Sequence, residues 1–377
     1  MFLISRPHLR GLGLPVVVLA AVVLAAVPSS ARPASAAVKV SETVSVGSAR
    51  GAVAGVASAV SRVATVARAR KKARAARARA VLIRSGNPFA ALPQYVDPRS
   101  PARAQAREWR DSRPGDAALI DEIARQPQGI WLGDWIRDVR AEAAARTSAG
   151  RAAGAIPVLV AYNIPDRDCG LHSRGGASDA ASYQRWIDAL ARGIGSGPAV
   201  VILEPDALAA IDCLDAAAQR ERLSLLRGAV DRLSAQPGTA VYIDAGNPTW
   251  VPAPEMARRL RAAGVAHARG FAINVSSFST TAVSRAYGRA VSRRAGGAPF
   301  VIDTGRSGAG PAADGGWCNP PARALGDRPT ADTGDRLVDA LLWVKRPGES
   351  DGTCNGGPPA GEWWADYALG LVRGAVS

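Results

Sequence analysis

The sequence contains few of the residues on which most metal and nucleophile chemistry depends. Only three of its 377 residues are histidine, only four are cysteine, and no CxxC pair occurs. A zinc cluster or a catalytic system built on histidine is therefore not expected. No GxGxxG follows a predicted strand, and the segment Gly305–Gly310 misses the GxSxG elbow by one residue. We expect neither a cofactor nor a metal ion.

Acidic residues are absent from one stretch of the chain, which explains most of its net charge of +15. Residues 43–84 carry ten Lys and Arg and no Asp or Glu, whereas residues 85–377 carry 33 basic and 31 acidic residues. The basic character therefore says little about the folded part. Residues 37–84 are interpreted as a basic Ala/Arg-rich leader or linker without aromatic residues. A tether to anionic envelope polymer or lipid is the alternative, and nucleic-acid binding ranks third.

The chain begins with a charged, an apolar and a small-residue region, in that order. Two arginines precede the apolar run 11–27, and Ala34–Ala36 supplies a cleavage pattern. We predict a signal peptide over residues 1–36. An uncleaved membrane anchor is less favoured, because the apolar run is short, contains Pro15 and is followed by Pro28. The mature protein is then expected to be exported and soluble, without stable membrane insertion.

The even number of cysteines predicts disulfides, because an exported protein folds in an oxidising compartment. Two disulfides are expected, and four cysteines allow three pairings. A metal site is the competing interpretation, although no Cys/His spacing of that kind is present. The four residues are Cys169, Cys213, Cys318 and Cys354.

Residues 85–377 are predicted to form one α/β domain, because short apolar runs alternate with longer helical stretches at intervals of roughly 30 to 40 residues. The candidate strands are Gly129–Leu132, Pro157–Ala161, Ala199–Leu203, Ala240–Ile243, Gly270–Ile273, Pro299–Ile302 and Ala340–Val344. Helices are predicted at Ala180–Arg192, Ala216–Ser234, Glu255–Ala263 and Ala282–Arg294. Seven such units favour a barrel-like parallel sheet over an open doubly wound one, but periodicity alone does not decide between the two.

Nearly every predicted strand ends in polar or aromatic residues, at the edge where parallel α/β folds build their active sites. The strand ends and following loops contribute Asp166, Asp168, Glu204, Asp206, Asp244, Asp303, Glu349 and Asp351. Clustered carboxylates raise one another's pKa, so that one stays protonated as a general acid while another accepts. Glycosidic bond hydrolysis needs such a pair. A Ca²⁺ site is the main competing use, but the chain has no EF-hand-like run.

The positions of lysine and tryptophan also favour a sugar-binding cleft. Lys345 is the only lysine in residues 85–377, in a chain with 43 arginines, and a compact ammonium suits a sugar hydroxyl or a paired carboxylate. Trp131, Trp250 and Trp317 lie in or just after strand-end loops, where flat rings can bury the apolar face of a sugar.

Six motifs occur in order between about Asn87 and the C-terminus. They are Tyr162–Cys169, Leu203–Leu208, Tyr242–Gly246, Asp303–Gly308, Trp317–Asn319 and Trp343–Gly352. Together they resemble glycoside hydrolase family 6, the cellulases that cut β-1,4-glucan with inversion. The resemblance implies sequential pairing of the four cysteines. It also implies a distorted seven-stranded parallel β/α barrel, TIM-barrel-like, with an open substrate cleft at the C-terminal rim.

The resemblance also implies roles for individual residues. Asp206 matches the general acid, Asp168 the carboxylate that raises its pKa, and Asp351 the candidate catalytic base. Ser173 and Asp168 match positions that hold the attacking water, and Tyr162 the residue that distorts the sugar. Further substrate contacts are implied at Trp131, Asn247, Trp250, Asn274, Ser277, Trp317, Lys345 and Glu349. The sequence departs from the usual family residues at Asn247, Ser277, Arg346 and His172, which puts affinity for the sugar in question more than the reaction.

Short loops predict the mode of cleavage. The segment Gly310–Gly316 and the loop after Asp351 are short, which implies an open groove and an endo-β-1,4-glucanase, with a cellobiohydrolase as the nearest alternative. No separate cellulose-binding module is visible, so soluble or amorphous glucan is favoured. A non-catalytic carbohydrate-binding protein and an envelope protein acting through its leader are less favoured interpretations. We expect a monomer that binds β-1,4-glucan polysaccharide or cello-oligosaccharide, and no nucleic acid.

Overall fold

The computed structural model describes residues 86–375, together with residues 62, 65–71 and 74 of the basic segment, which are helical. The predicted signal peptide, residues 1–36, lies outside the described residues, as does most of the predicted leader, residues 37–84. Among the described residues, no helix has both the length and the apolar character needed to cross a bilayer.

Seven parallel strands form one sheet whose spatial order follows the chain. The strands are β1 (Ile130–Leu132), β2 (Val158–Ala161), β3 (Ala199–Leu203), β4 (Thr239–Asp244), β5 (Gly270–Ile273), β6 (Phe300–Asp303) and β7 (Val338–Leu342). A doubly wound sheet would reverse its strand order at a switch point, and this sheet does not. The predicted barrel-like α/β fold is therefore confirmed.

Five of the helices in the described residues connect successive strands and cover the outside of the sheet. They are α1 (Pro88–Ala91), α2 (Pro101–Glu108), α3 (Pro114–Ala124), α4 (Val139–Ala152), α5 (Ala180–Ile194), α6 (Ala216–Ser234), α7 (Ala253–Ala262), α8 (Thr281–Arg294) and α9 (Ala365–Ala375). The four predicted helices correspond to α5–α8. Side-chain caps fix where three of these begin, because Asp179, Asp215 and Thr280 accept hydrogen bonds from backbone N–H groups of the first turn.

Alternate residues of each strand serve two different cores. In β3, Val201 and Leu203 pack towards the surrounding helices, whereas Val200 and Ile202 point into the barrel. Phe89 and Leu92, in and just after α1, fill the same interior cluster. Strands buried on both faces read as continuous apolar runs, which is why they could be located in the sequence.

The barrel is incompletely closed between its first and last strands, since β1 and β7 are not paired. Two hydrogen bonds cross the gap, from the Gly129 N–H to the Trp343 carbonyl (2.8 Å) and from Trp131 Nε1 to the Val344 carbonyl (2.9 Å). Glycine is needed at position 129, because a Cβ atom there would lie 2.3 Å from the Val344 oxygen. Residues 343 and 344 thus belong to this junction, and β7 ends at Leu342 rather than at the predicted Val344.

Candidate active site

The C-terminal ends of the strands carry several strained residues. Asp168 (φ 58°), Glu204 (50°), Asp206 (70°), Asn274 (65°) and Ser276 (59°) all adopt left-handed backbone conformations although none is glycine. Such conformations persist only where the surrounding structure imposes them, and they concentrate at active sites. The edge predicted from the sequence to hold the chemistry is thus also the edge where the backbone is strained.

Asp206 follows β3 and is half-buried. Its backbone N–H donates to Asp244 Oδ2 at 3.0 Å, which fixes the turn that carries it. Burial, together with the negative charges of Asp244 and Asp168, raises the pKa of Asp206 well above its ordinary value of 3.8, and the ammonium of Lys345 only partly opposes this. The protonated form of Asp206 is favoured, which is the form that can donate a proton.

Asp168 lies in the loop after β2, in a single 3₁₀ turn. Its Oδ2 accepts a hydrogen bond from the Ser173 N–H at 2.6 Å, so these two predicted residues are in contact. Burial raises the pKa of Asp168, while that hydrogen bond and the charges of His172 and Arg167 lower it in part. Asp168 is close enough to Asp206 for their charges to interact.

Asp351, in the loop after β7, is buried and has the opposite electrostatic character. Although burial alone would raise it, the charges of Arg306 and Lys345 and a hydrogen bond from Arg306 hold the pKa of Asp351 below its ordinary value. Arg306 Nη1 lies 2.7 Å from Asp351 Oδ2, the Asn319 N–H donates to the same oxygen at 3.1 Å, and Lys345 Nζ lies 3.7 Å from Oδ1. The ionised form of Asp351 is therefore favoured, whereas the protonated form is favoured for Asp206, on which its charge acts.

Arg306 was not predicted as a site residue. Its side chain is only 1% exposed, so its charge acts on Asp351 with little screening by water. The sequence signal was present, because Arg306 lies within the motif Asp303–Gly308 on which the family resemblance partly rests.

Three further buried carboxyl groups, Glu204, Asp244 and Asp303, hold the backbone of the active-site loops, and we call them the anchoring carboxyls. Glu204 Oε2 accepts the N–H groups of Asn163 (2.8 Å) and Ile164 (3.0 Å), and thereby fixes the loop after β2. Asp244 holds the turn after β3 through its hydrogen bond from the Asp206 N–H. Burial raises the pKa of Glu204 and of Asp244 to about 7 in each case.

Asp303, the last residue of β6, is the most extensively bonded of the three. Its two oxygens accept four backbone N–H groups, from Gly305 (3.0 Å), Val344 (3.1 Å), Ser276 (3.1 Å) and Lys345 (2.9 Å). These donors come from the loops after β5, β6 and β7. One carboxyl group therefore aligns three neighbouring loops, including the one that carries Lys345 and Asp351.

Both disulfides join loops at this edge. Cys169 pairs with Cys213 and Cys318 pairs with Cys354, the sequential arrangement that the resemblance implied. The first ties the Asp168 loop to the segment after β3, and the second ties the loop after β6 to the loop after β7. His172 lies near Cys318 and Cys354, but their sulfurs are joined in the disulfide and offer no thiolate to a metal.

Trp131, Tyr162 and Lys345 meet on the β1–β2 side of the cleft. The rings of Trp131 and Tyr162 are 5.2 Å apart in a T-shaped arrangement, and Lys345 Nζ lies 5.9 Å from the Trp131 ring centre. Lys345 also donates to the Ser350 carbonyl at 3.1 Å. Three predicted substrate contacts are therefore adjacent to one another and to Asp351.

Trp250 and Trp317 are 46% and 53% exposed, so their rings are available to a ligand. Trp317 packs edge-on against His172, with ring centres 5.9 Å apart. This contact joins the loop after β6 to the loop after β2.

The remaining predicted contacts differ in how free their side chains are. Ser277 is half-buried, and the Asn247 oxygen accepts hydrogen bonds from Thr249. Glu349 is buried and paired with Arg346. These side chains can contact a ligand only through polar atoms that remain exposed and are not already bonded within the protein.

Asn274 differs most from its prediction as a substrate contact. The residue is fully buried, and its amide nitrogen donates to the carbonyls of Ser279 (3.0 Å) and Asp303 (2.9 Å). Its amide oxygen accepts the Ser279 N–H at 3.2 Å. Because both N–H donors are used within the protein, Asn274 holds the loop after β5 in place.

A cavity of about 820 Å³ lies elsewhere, between α3, α9 and the start of α8. Leu119, Thr281, Leu325 and Trp343 are among its lining residues. The cavity contains none of the carboxyl groups described above, and the chemistry belongs to the strand ends instead.

A barrel-like parallel sheet whose C-terminal edge holds two carboxyl groups with pKa values shifted in opposite directions suits glycosidic bond hydrolysis. The sequence model described as "Glycosyl hydrolases family 6" matches residues 89–375. The chain belongs to this family.

Similar proteins include bacterial and fungal enzymes. "Endoglucanase A" of Cellulomonas fimi is 48% identical over 283 residues, which are 74% of this chain and 61% of that protein. The chain thus spans about three-fifths of the length of this relative. "Endoglucanase 1" of Streptomyces halstedii is 43% identical, over 74% of this chain and 88% of that protein. "Probable 1,4-beta-D-glucan cellobiohydrolase C" of Aspergillus terreus is 30% identical, over 77% of this chain and 76% of that protein.

A solved structure with the same fold contains a bound oligosaccharide analogue. The endoglucanase Cel6 from Mycobacterium tuberculosis, in complex with methyl-cellobiosyl-4-deoxy-4-thio-β-D-cellobioside, superposes with a TM-score of 0.74 at 48% identity. The match covers 78% of this chain and 100% of that chain.

Proposed function

We propose that the protein is a secreted endo-β-1,4-glucanase that hydrolyses internal bonds of cellulose or β-glucan with inversion of configuration. The observation that carries the proposal is that the fold shifts the pKa values of two interacting carboxyl groups, Asp206 and Asp351, in opposite directions. The similarity to endoglucanases of Cellulomonas fimi and Streptomyces halstedii supports the choice of substrate and of endo cleavage.

Asp206 is the general acid of the proposed reaction. It gives its proton to the departing glycosidic oxygen, so that the leaving sugar departs as a neutral alcohol. The raised pKa of Asp206 keeps that proton available near neutral pH. The left-handed turn anchored by Asp244 holds the carboxyl group in a fixed direction, which reduces the reorganisation needed in the transition state.

Asp168 and Asp351 act on the attacking water and on the developing charge of the sugar, rather than on the leaving group. Asp351 is the candidate base, and its Oδ1 is the oxygen left free by Arg306 and Asn319. Asp168, positioned by Ser173, raises the pKa of Asp206, helps hold the attacking water, and stabilises positive charge as the oxocarbenium-like state forms. Inversion requires the water to attack the face of the sugar opposite the leaving group.

The aromatic and polar contacts bind the glucan chain. Trp131, Trp250 and Trp317 stack on sugar faces, and Tyr162 favours a distorted sugar at the cleavage point. Lys345 and Glu349 bind hydroxyl groups, with Asn247 and Ser277 as further contacts, while Asn274 acts by positioning its loop. The exposure of Trp250 and Trp317 favours an open groove, which an internal segment of a polymer can enter.

The proposal includes how the chain is organised and where it acts. Residues 1–36 serve as the signal peptide, residues 37–84 as a basic leader or linker, and residues 85–377 as the catalytic domain. The enzyme works as a monomer outside the cell, and the basic charge of the leader favours association with the anionic envelope.

The proposal is tested by following viscosity and reducing ends together during hydrolysis of carboxymethyl cellulose and barley β-glucan. A steep fall in viscosity for each bond cut is expected for an endoglucanase. Asp206→Ala is expected to lower kcat by about 10² to 10⁴, since general acid catalysis contributes that much. Slow viscosity loss with cellobiose as the main product would instead identify a cellobiohydrolase. Binding of cello-oligosaccharide without hydrolysis would identify a non-catalytic carbohydrate-binding protein.

A further inference from the structure

Trp135 is a large exposed aromatic residue that none of the roles above uses. It lies in the loop after β1, four residues beyond Trp131, and is 53% exposed, as much as Trp317. More than half of the residue's surface is exposed at the C-terminal edge of the sheet, where a ligand could cover it.

The orientation of the Trp135 ring is fixed from one side. The guanidinium of Arg167 lies 5.3 Å from the ring centre, and the ring lies so close to Gly133 that a Cβ atom there would be 2.3 Å from it. Arg167 is itself immobilised, since it donates to the carbonyls of Tyr162 (2.8 Å) and Ser173 (2.7 Å). The indole is therefore presented on a rigid support, at little entropic cost to a ligand.

Arg167 links Trp135 to two of the predicted substrate contacts. Arg167 lies 4.6 Å from the ring centre of Tyr162, and Tyr162 contacts Trp131. The Trp135 ring is thus within about the length of one cellobiosyl unit of Tyr162, the residue proposed to lie at the cleavage point. A glucan chain bound at Tyr162 therefore passes within this distance of Trp135.

A carboxylate contacts the same arginine as the ring. Asp134 is exposed, pairs with Arg167 at 2.9 Å, and accepts the Gly176 N–H at 3.0 Å. Each carboxylate oxygen accepts one of these bonds, and the side chain is 40% exposed, so lone pairs remain for a ligand. A flat aromatic face next to a fixed acceptor is the combination that binds the apolar face and the hydroxyl groups of a pyranose.

We propose that Trp135 and Asp134 form an additional glucosyl-binding subsite, in which the Trp135 ring stacks on a sugar beyond those held by Trp131. The inference rests on the proposed glucanase function and makes it more specific. The subsite should raise kcat/KM for longer substrates, because only a chain that extends far enough past the cleavage point can occupy it.

The test is the chain-length dependence of hydrolysis by the full-length protein, measured as kcat/KM from cellotriose to cellohexaose. Trp135→Ala is expected to lower kcat/KM for cellohexaose about tenfold and to leave cellotriose nearly unchanged, whereas Trp135→Phe keeps an aromatic face and most of the activity. Trp109→Ala is the matched control, because Trp109 also stacks on an arginine, Arg113 at 3.9 Å, but at the end of α2. Its effect should not depend on chain length.

An equal loss on short and long substrates, or no loss on any of them, would overturn the subsite. To separate the subsite from turnover, binding of cellohexaose is measured by calorimetry in the Asp206→Ala background. There the added Trp135→Ala change should raise Kd about tenfold. If the wild-type protein cuts no glucan but this shift in Kd is seen, the glucanase proposal fails while the subsite stands. If glucan is cut and neither Kd nor chain-length dependence changes, the subsite alone is refuted.

Discussion

Single residues of the same type behave differently here because their neighbours differ. Asp206 and Asp351 are both aspartates at strand ends, yet burial and nearby carboxylates raise the pKa of the first, while Arg306 and Lys345 lower that of the second. The sequence predicted both residues as a functional pair. The family resemblance also assigned the acid to Asp206 and the base to Asp351, but the sequence could not give the physical cause of that difference, because Asp244 and Arg306 reach them only through the fold.

The pH dependence of catalysis tests this difference at Asp244. The general acid must be protonated, so activity is lost as pH rises through the raised pKa of Asp206. Asp244→Asn removes the negative charge that contributes most to that rise, and the alkaline limb of kcat should move down by about one pH unit. The measurement is a full pH–rate profile on soluble β-glucan.

Asp231→Asn is the control for that profile, because Asp231 pairs with His267 on the surface and is not among the charges that act on Asp206. An alkaline limb that stays at the same pH in Asp244→Asn would mean that Asp244 does not set the pKa of the acid.

At the scale of elements, strands and helices were predicted where their sequences are distinctive. The buried strands are continuous apolar runs, and helices α5–α8 begin at clear caps or lie between two such runs. Helices α2, α3 and α9 were not predicted, because they pack together outside the repeating β–α units. The anchoring carboxyls were seen as strand-end residues, but their bonds to neighbouring loops depend on strand order, which periodicity does not give.

Glu204 should make stability depend on pH. Its pKa is about 7 in the folded protein, against an ordinary 4.5, so the folded state binds this proton more tightly than the unfolded state. The stabilisation from Glu204 is then complete below about pH 4.5 and lost as pH rises through about 7. Glu204→Gln keeps an acceptor for Asn163 and Ile164 but cannot titrate, so its free energy of unfolding should fall less between about pH 5 and about pH 8.

Urea unfolding at the two pH values measures this, with Glu221→Gln on the exposed surface of α6 as control. If Glu204→Gln retained the full pH dependence of the wild-type protein, Glu204 would not be the titrating group.

At the scale of the whole molecule, the incomplete closure of the barrel is the feature that the sequence could not predict. Seven strands were counted correctly, but a count does not say whether the first and last strands pair. How closely the two strands approach depends on Gly129, because the absence of a side chain there lets the residues after β7 contact the start of β1.

Gly129→Ala should therefore destabilise the protein strongly, by about 2 kcal/mol or more, since its Cβ would meet a backbone oxygen that cannot move aside cheaply. Gly228→Ala is the matched control. Gly228 lies inside α6 with nothing near its Cβ position, so alanine there should stabilise by about 0.5 to 1 kcal/mol. Thermal unfolding of both variants measures the contrast, and an unchanged melting temperature in Gly129→Ala would show that the junction contributes little.

The anchoring carboxyls also have an evolutionary consequence. Each of the three holds backbone from one or more neighbouring loops, so a substitution at one position alters the residues presented by another, and the catalytic edge should drift only through coupled changes. The exposed side chains of tryptophans 135, 250 and 317 do not hold backbone groups in this way, although Trp135 and Trp317 contact the side chains of Arg167 and His172. Evolution could therefore replace these tryptophans one at a time and change the preferred glucan while Asp206 is kept. A library for directed evolution would be best aimed at those three positions.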